Sequence, residues 1–379
     1  MKKYKGIALD IGTTNIAAAL ITDGGYMDLH RTVPNPQGLF STNLVGRISA
    51  AEHSYAALRS ALLQGVNSAV ADLCSTAGVK PTELPTVAVG NTLMCCFFLG
   101  LPVDSLGKSP YTAPSLFGDV YSVSGYIGGG SYVAPAFGSF VGGDISAGIL
   151  CTDMKMDGVL YIDAGTNGEV YGSYAGKSLA CSAAAGPALE KGITGGVCGG
   201  VAYSAVRENG ALRLITRDGK PPASIAGSGV IELVALMIGN ECGENGRIEG
   251  DSLELGGGLC FTAADMTAFQ LAKAAIAAAT LCVVRGLGMP VGGLKRLYVA
   301  GAMGSAVSEG ALIRTGLVPG WAAGKVQAVG NGALKGAALL FEEANRQKLK
   351  ALCEKTRVLP LDKSEYFKER FAEELFFYE

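Results

Sequence analysis

Leu9-Asp10-Ile11-Gly12-Thr13-Thr14-Asn15 is answered 153 residues later by Ile162-Asp163-Ala164-Gly165-Thr166-Asn167-Gly168. Asp, Gly and Thr recur at that single offset, and a repeat of this kind sets the plan of a chain before any element is assigned. Each copy follows an apolar, β-rich run (Gly6 to Leu9; Val159 to Ile162) and precedes another (Ile16 to Ile21; Glu169 to Tyr171). Each is therefore expected to be the turn of a hairpin. A second pair, Val141-Gly142-Gly143-Asp144 with Gly148 and Val329-Gly330-Asn331-Gly332 with Gly336, shares the offset 188 in Val, the first Gly and the last Gly. Each half thus opens with an Asp-x-Gly-Thr hairpin and closes with a glycine-started helix, the pattern of two related lobes around a cleft. The lobes are expected at residues 1–153 and 154–328, with 329–379 forming a second crossing helix and a tail that returns to the first lobe.

Within that plan the reading is mixed α/β. Core-type spacing of good helix formers predicts helices at Ala50 to Ala77, Ala184 to Lys191, Gly229 to Ile238, Ala263 to Val284 and Ala333 to Cys353. Strands are expected at Thr86 to Val89 and Arg296 to Ala300.

A Gly-Thr turn offers consecutive backbone N–H groups and a hydroxyl, and glycine lets a phosphate approach the backbone. Two such turns facing each other would clasp a polyphosphate. Asp10 and Asp163 would then stand beside those phosphates, where Mg²⁺ takes oxygen ligands and keeps several waters. The plainer alternative for either copy alone is an ordinary hairpin with an Asx-type turn; the matched pair favours the phosphate reading. Asp144, at the head of the first crossing helix, would orient a water or accept its proton, or else act only as the N-cap. Ala226-Gly227-Ser228-Gly229 and Gly301-Ala302-Met303-Gly304 suit the approach of backbone to a flat ligand such as adenosine. Close packing at a helix start explains them equally well.

Composition narrows the classes. The chain has 379 residues, enough for two or three folding units at about 150 residues each, with 49% hydrophobic residues and 55 glycines. With 31 basic and 33 acidic residues the net charge is −2. No basic stripe is present that would neutralise nucleic-acid phosphates, so a nucleic-acid role is disfavoured. Mean hydropathy is +0.32, but the uncharged stretch Pro85 to Val103 has Gly90-Asn91-Thr92 at its centre and Pro near both ends. It reads as strand, turn and buried helix, not as a membrane span. Met1-Lys2-Lys3-Tyr4-Lys5 runs directly into a strand with no signal-peptide pattern, and a cytoplasmic protein is expected. The ten cysteines, at 74, 95, 96, 151, 181, 198, 242, 260, 282 and 353, show no zinc or iron–sulfur ligand spacing. Most sit in apolar runs as small hydrophobes, and no iron–sulfur cluster is expected.

The ordered set Asp10 to Thr14, Gly142-Gly143-Asp144, Asp163 to Glu169, Gly301 to Gly304 and Gly330 to Gly336 resembles the superfamily of acetate and sugar kinases, actin and heat-shock chaperones. That resemblance implies two ribonuclease-H-like lobes around a nucleotide cleft, an actin-like ATPase fold. Val89 to Met94, Gly142 to Leu150, Ala184 to Glu190, Gln270 to Ile276 and Phe367 to Phe371 narrow it: they resemble the ATP-dependent reductive activators of corrinoid proteins. These segments span nearly the whole chain. In that family ATP turnover accompanies return of an inactive cob(II)alamin-type corrinoid to its methyl-accepting Co(I) state. The resemblance implies nucleotide contacts at Gly12, Thr13, Thr14, Gly165, Thr166, Asn167 and Gly168, to which the glycine clusters add Gly227, Ser228, Gly301 and Gly304. It implies metal-side carboxylates at Asp10 and Asp163; the catalytic role expected of Asp144 rests on its place at the head of the first crossing helix. Family members typically carry an iron–sulfur domain, and this chain begins directly with the first lobe. Electrons are therefore expected from a separate iron–sulfur protein, with a corrinoid protein as partner and a homodimer left open. A cluster shared across a dimer at Cys181 and Cys198 is the less favoured arrangement. A small-molecule kinase, in which Asp144 deprotonates a substrate hydroxyl, and a nucleotide-binding regulator without turnover are the alternatives, since this architecture hosts all three.

Overall fold

The chain forms two units, Met1–Lys155 with Asn331–Val358 and Met156–Gly330 with Leu359–Glu379. The structure is a computed structural model that describes all residues except 1, 2, 155, 195–198, 251, 302, 304–306 and 379.

The first unit holds β1 (Tyr4–Ile11), β2 (Asn15–Thr22), β3 (Met27–Pro34), α1 (Leu44–Ala77), β4 (Thr86–Gly90), α2 (Thr92–Leu99), β5 (Asp119–Tyr121), β6 (Ser131–Val133) and α3 (Gly143–Ile149). The second begins with β7 (Val159–Ala164), β8 (Gly168–Tyr174), β9 (Lys177–Ala183), α4 (Ala188–Lys191) and β10 (Ile193–Thr194). It continues through β11 (Gly200–Glu208), β12 (Ala211–Thr216), β13 (Pro222–Ile225), α5 (Gly227–Met237), β14 (Ser252–Glu254) and β15 (Cys260–Thr262). Next come α6 (Ala263–Leu287), β16 (Arg296–Gly301), α7 (Glu309–Arg314) and β17 (Val326–Gly330). The chain then returns to the first unit with α8 (Gly332–Leu339) and α9 (Glu343–Lys355), and α10 (Glu365–Glu373) lies in the second.

The first sheet runs β3-β2-β1-β4-β6-β5, with β1, β2 and β3 antiparallel and β4 parallel to β1. Both faces are covered, which is why β1 reads as a continuous apolar run. Ile7, Leu9 and Ile11 pack with Leu58, Leu62 and Phe97, while Ala8, Ala17 and Ala19 pack with Ala333, Ala337 and Leu349. The small residues on the second face leave room for the two glycine-started helices. A Cβ on Gly336 of α8 would collide with the Ala147 carbonyl of α3, so glycine is what lets these helices cross in contact.

The second unit repeats the plan. Its main sheet has the order β17-β16-β7-β8-β9, with β7, β8 and β9 antiparallel and β16 parallel to β7. The equivalence extends to single residues: Ile11 pairs with Gly90 across β1 and β4, and Ala164 pairs with Gly301 across β7 and β16. A Cβ on Gly90 would press on the Ile11 carbonyl, and one on Gly301 on the Ala164 carbonyl. The β10-β13-β11-β12 sheet and the β14–β15 hairpin are additions to this unit.

The structure corrects several expectations. The tail divides: Asn331–Val358 lies in the first unit, but Leu359–Glu379 lies in the second. Phe377 is 1% exposed and its N–H bonds the Glu244 carbonyl at 2.7 Å, while the Lys273 ammonium on α6 bonds the Phe376 carbonyl at 2.6 Å. Helix α1 begins at Leu44, because the Asn43 side chain caps the Gly46 N–H at 2.8 Å, and it is interrupted at Ser54 (φ −136°). Helix α4 is only Ala188–Lys191, since Gly186 at φ +79° and Pro187 end β9 without helix. The helix expected over Ala333 to Cys353 is two. Asn345 and Arg346 take the Leu339 and Leu340 carbonyls at 2.9 and 2.7 Å, so α8 ends there.

Helix α6 is long and apolar enough to cross a membrane by length and composition, but 67% of its most apolar window is buried inside the protein. Lys273, 0% exposed, stands in that buried face.

Candidate functional site

In the first unit the β1–β2 turn is held from behind. Asn35 donates from Nδ2 to the Gly12 carbonyl at 2.9 Å, and its backbone N–H bonds the Thr14 carbonyl at 2.8 Å. The Thr13 carbonyl accepts from the Arg47 guanidinium at 2.6 Å, and Arg47 is 1% exposed. Asn91 donates from Nδ2 to the Thr13 hydroxyl at 3.1 Å while its Oδ1 caps α2 at the Met94 N–H, 3.0 Å. Asn331 does the parallel work: its Oδ1 caps α8 at the Leu334 N–H, 2.7 Å, and its Nδ2 bonds Asp10 Oδ2 at 2.9 Å. Val-Gly-Asn precedes both helices, at 89–91 and 329–331, so one capping residue in each case also fixes a turn residue.

Asp144 belongs to the same cluster. Gly142, not Asp144, is the N-cap of α3, and the Asp144 carboxylate accepts from the adjacent Ile145 N–H at 2.9 Å. The capping alternative therefore does not describe it. A Cβ on Gly142 would meet Asn91 Cα and lie 2.7 Å from Asp144 Oδ1, which sets the helix start tightly against the β4–α2 turn. Burial raises the Asp144 carboxyl from 3.8 to about 6. Nearby Cys95 is pushed well up by its own burial and then by the charges of Asp144, Cys96 and Asp10, which places both carboxylates in one neighbourhood.

In the second unit the β7–β8 turn closes through the Gly165 N–H on the Asn167 carbonyl at 3.0 Å. Thr166, 5% exposed, gives its backbone N–H and its hydroxyl to one atom, Glu190 Oε2, at 3.0 and 2.5 Å. Its carbonyl accepts from the Gly186 N–H at 2.9 Å. Asp163 stands opposite buried Glu169 in the β7–β8 register and beside Ala300 in β16. A Cβ on Gly301 (φ +66°) would strike Asp163 Oδ1, so Gly301 and Asp163 are adjacent. Gly168 is buried under Ile276. A Cβ on Gly227 would run into the Leu189 carbonyl, and the Ser228 hydroxyl bonds the Tyr203 carbonyl at 3.0 Å; close packing accounts for both. Gly304 and Cys198 lie outside the described residues.

Asn35, Arg47, Asn91, Asn331 and Glu190 were not singled out as site residues from the sequence. Val-Gly-Asn before each apolar helix was the available signal for two of them.

In each unit the turn has an aspartate beside it, Asp10 in the first and Asp163 in the second, and carboxylate oxygens are the donor type a hard cation prefers. Among the described residues no group of three or more His, Cys, Asp or Glu gathers to hold a metal by protein ligands alone. The nine described cysteines are free, and burial raises Cys151 to about 11 and Cys96 and Cys353 to about 12. Such thiols are poor thiolate ligands.

The sheet order, the duplicated turns and the crossing helices define an actin-like ATPase fold. Residues 157–379 match the C-terminal domain of RACo, the ASKHA domain, and residues 5–157 match the RACo middle region. The chain belongs to the RACo family. A solved structure described as a reductive activator for corrinoid, iron–sulfur protein superposes with a TM-score of 0.89 at 28% identity, covering 99% of this chain and 66% of that one. The corrinoid activation enzyme RamQ of Eubacterium limosum is 29% identical over 381 residues, 89% of this chain and 64% of the relative. The Co(II) methylated amine-specific corrinoid protein reductase of Methanosarcina barkeri is 28% identical over 264 residues, 62% of this chain and 48% of the relative. The chain thus spans less than two thirds of the length of each.

Proposed function

We propose that this chain binds and hydrolyses Mg-ATP and uses that cycle to assist reductive reactivation of a corrinoid protein in the cytoplasm. The electron comes from a separate iron–sulfur protein, and the chain works as a homodimer. The carrying observation is the pair of equivalent turns, each with an Asp at the end of the central strand, in a chain similar over 99% of its length to a corrinoid-protein activator.

The N–H groups and hydroxyls at Gly12, Thr13 and Thr14 and at Gly165, Thr166, Asn167 and Gly168 bind phosphate oxygens. Arg47 and Asn91 fix the first turn so that no ordering is needed when the ligand arrives. Asp10 and Asp163 would hold Mg²⁺, which when bound would neutralise charge on the phosphates. Asp144 is poised near neutrality, ionised enough at pH 7 to accept a proton from the attacking water. The turn at Gly301 takes the adenosine.

The test combines calorimetry with a redox assay. Titration with Mg-ATP is expected to show binding, and a corrinoid protein with a low-potential reductant is expected to gain Co(I) absorption only when chain and ATP are both present. No binding at millimolar ATP overturns the reading of the turns; Co(I) formation independent of ATP overturns the coupling.

A further inference from the structure

The two turns share a backbone plan and differ in what their threonines hold. In the first unit the Thr13 hydroxyl receives an amide N–H from Asn91. In the second, Thr166 gives both its N–H and its hydroxyl to a carboxylate oxygen of Glu190. That oxygen sits where an N–H and an O–H converge, the pair of donors a phosphate oxygen would take. We propose that Glu190 is an internal anion that occupies the second phosphate position, and that nucleotide binding requires its displacement. This rests on the reading of residues 165–168 as a phosphate site and adds a gate to it.

The surroundings permit such a movement. Helix α4 is a single turn between two glycines in the left-handed region, Gly186 at φ +79° and Gly192 at φ +64°. Within it Leu189 is 0% exposed and lies under Gly227 of α5. A cavity of about 320 Å³, lined by Ala185, Pro187, Ala188, Ile193, Phe269 and Leu271 among others, flanks the same segment. Close-packed interiors resist displacement of an element; here there is space on one side and conformational freedom at both ends. Because the Gly186 N–H also bonds the Thr166 carbonyl, the turn and α4 are tied at two places. A phosphate that takes the Thr166 donors from Glu190 therefore loosens α4, and the apolar cavity beside it reports the nucleotide state.

The test uses Glu190→Gln and Glu190→Ala in the full chain. Removing a competing, like-charged acceptor is expected to tighten Mg-ATP and inorganic pyrophosphate binding by about tenfold, more for Ala than for Gln, which keeps a neutral acceptor. In the unaltered chain, Mg-ATP is expected to increase amide hydrogen exchange across 186–193. Thermal melts of the near-isosteric Gln variant verify folding. Unchanged or weaker affinity in both variants, with the unaltered chain binding ATP, overturns the gate and leaves the nucleotide site standing. Loss of turnover at unchanged affinity overturns it too and assigns Glu190 to the chemistry. If no form binds ATP or pyrophosphate, both the gate and the site reading fall.

Discussion

Asp144→Asn separates catalysis from stability. Burial raises the Asp144 carboxyl from 3.8 to about 6, against the lowering effect of the Ile145 and Asp144 backbone N–H groups. A shift of about two units corresponds to about 3 kcal/mol, and partial exposure reduces this to about 2 kcal/mol. The folded form holds the proton more tightly than the unfolded chain. Its contribution is thus fully present below pH 3.8 and is lost as pH rises through about 6. At pH 7 the native protein carries an ionised, partly buried carboxylate at that cost, and an Asn does not. Urea denaturation of the nucleotide-free chain is expected to show Asp144→Asn more stable by about 2 kcal/mol at pH 7 and not at pH 4. ATP turnover is expected to fall by about 10²-fold or more, as for loss of a general base, with ATP affinity little changed. Turnover by the unaltered chain should rise with pH and reach half its plateau near pH 6. An Asn variant that turns over ATP at the native rate, or one less stable at pH 7, refutes the reasoning.

Lys273→Met tests the tail. Burial lowers the Lys273 ammonium from 10.5 to about 8, so the unfolded chain binds the extra proton between those values and native stability rises with pH across that window. Denaturation at pH 7.5 and 10 is expected to show that rise, at most about 3 kcal/mol, missing from the Met variant; equal pH slopes would refute it. Nucleotide state is expected to alter affinity for a corrinoid protein, measured by surface plasmon resonance with ADP, a non-hydrolysable ATP analogue or neither. Linkage requires the partner to shift nucleotide affinity by the same factor, and equal affinities in all three states would remove the coupling.

The repeat at offset 153 was legible because hairpin turns compress their requirements into three adjacent residues. Helix bounds were less so, since they depend on contacts made elsewhere. Asn345 and Arg346 end α8 by reaching back to its last carbonyls, and nothing in Ala333 to Cys353 alone forbids a continuous helix. The destination of the tail rests on Lys273, about a hundred residues away, holding the Phe376 carbonyl. The residues that brace the turns were hidden for the same reason. Arg47 looks like a surface arginine on an amphipathic helix until its guanidinium is found at Thr13, Gln37 and Met94.

The second repeat carries the argument further than its glycines. At offset 188 the counterpart of Asp144 is Gly332, and the counterpart of Gly143 is Asn331. The two crossing helices therefore bring different groups to equivalent places: α3 contributes a partly buried acid that accepts from the N–H of its own first turn, and α8 contributes an amide that caps its helix and holds Asp10. A symmetric pair of acids would repel at close quarters and raise each other's affinity for protons. With one acid and one amide, the carboxylate able to accept a proton is distinct from the carboxylate held fixed. That division is consistent with the function proposed above, in which Asp144 on α3 would accept the proton and Asp10 would be a positioned oxygen donor. The Asn331→Asp variant, which restores an acid beside Asp10, is accordingly expected to weaken Mg-ATP binding or turnover without disturbing the α8 cap, because Asp caps a helix as well as Asn.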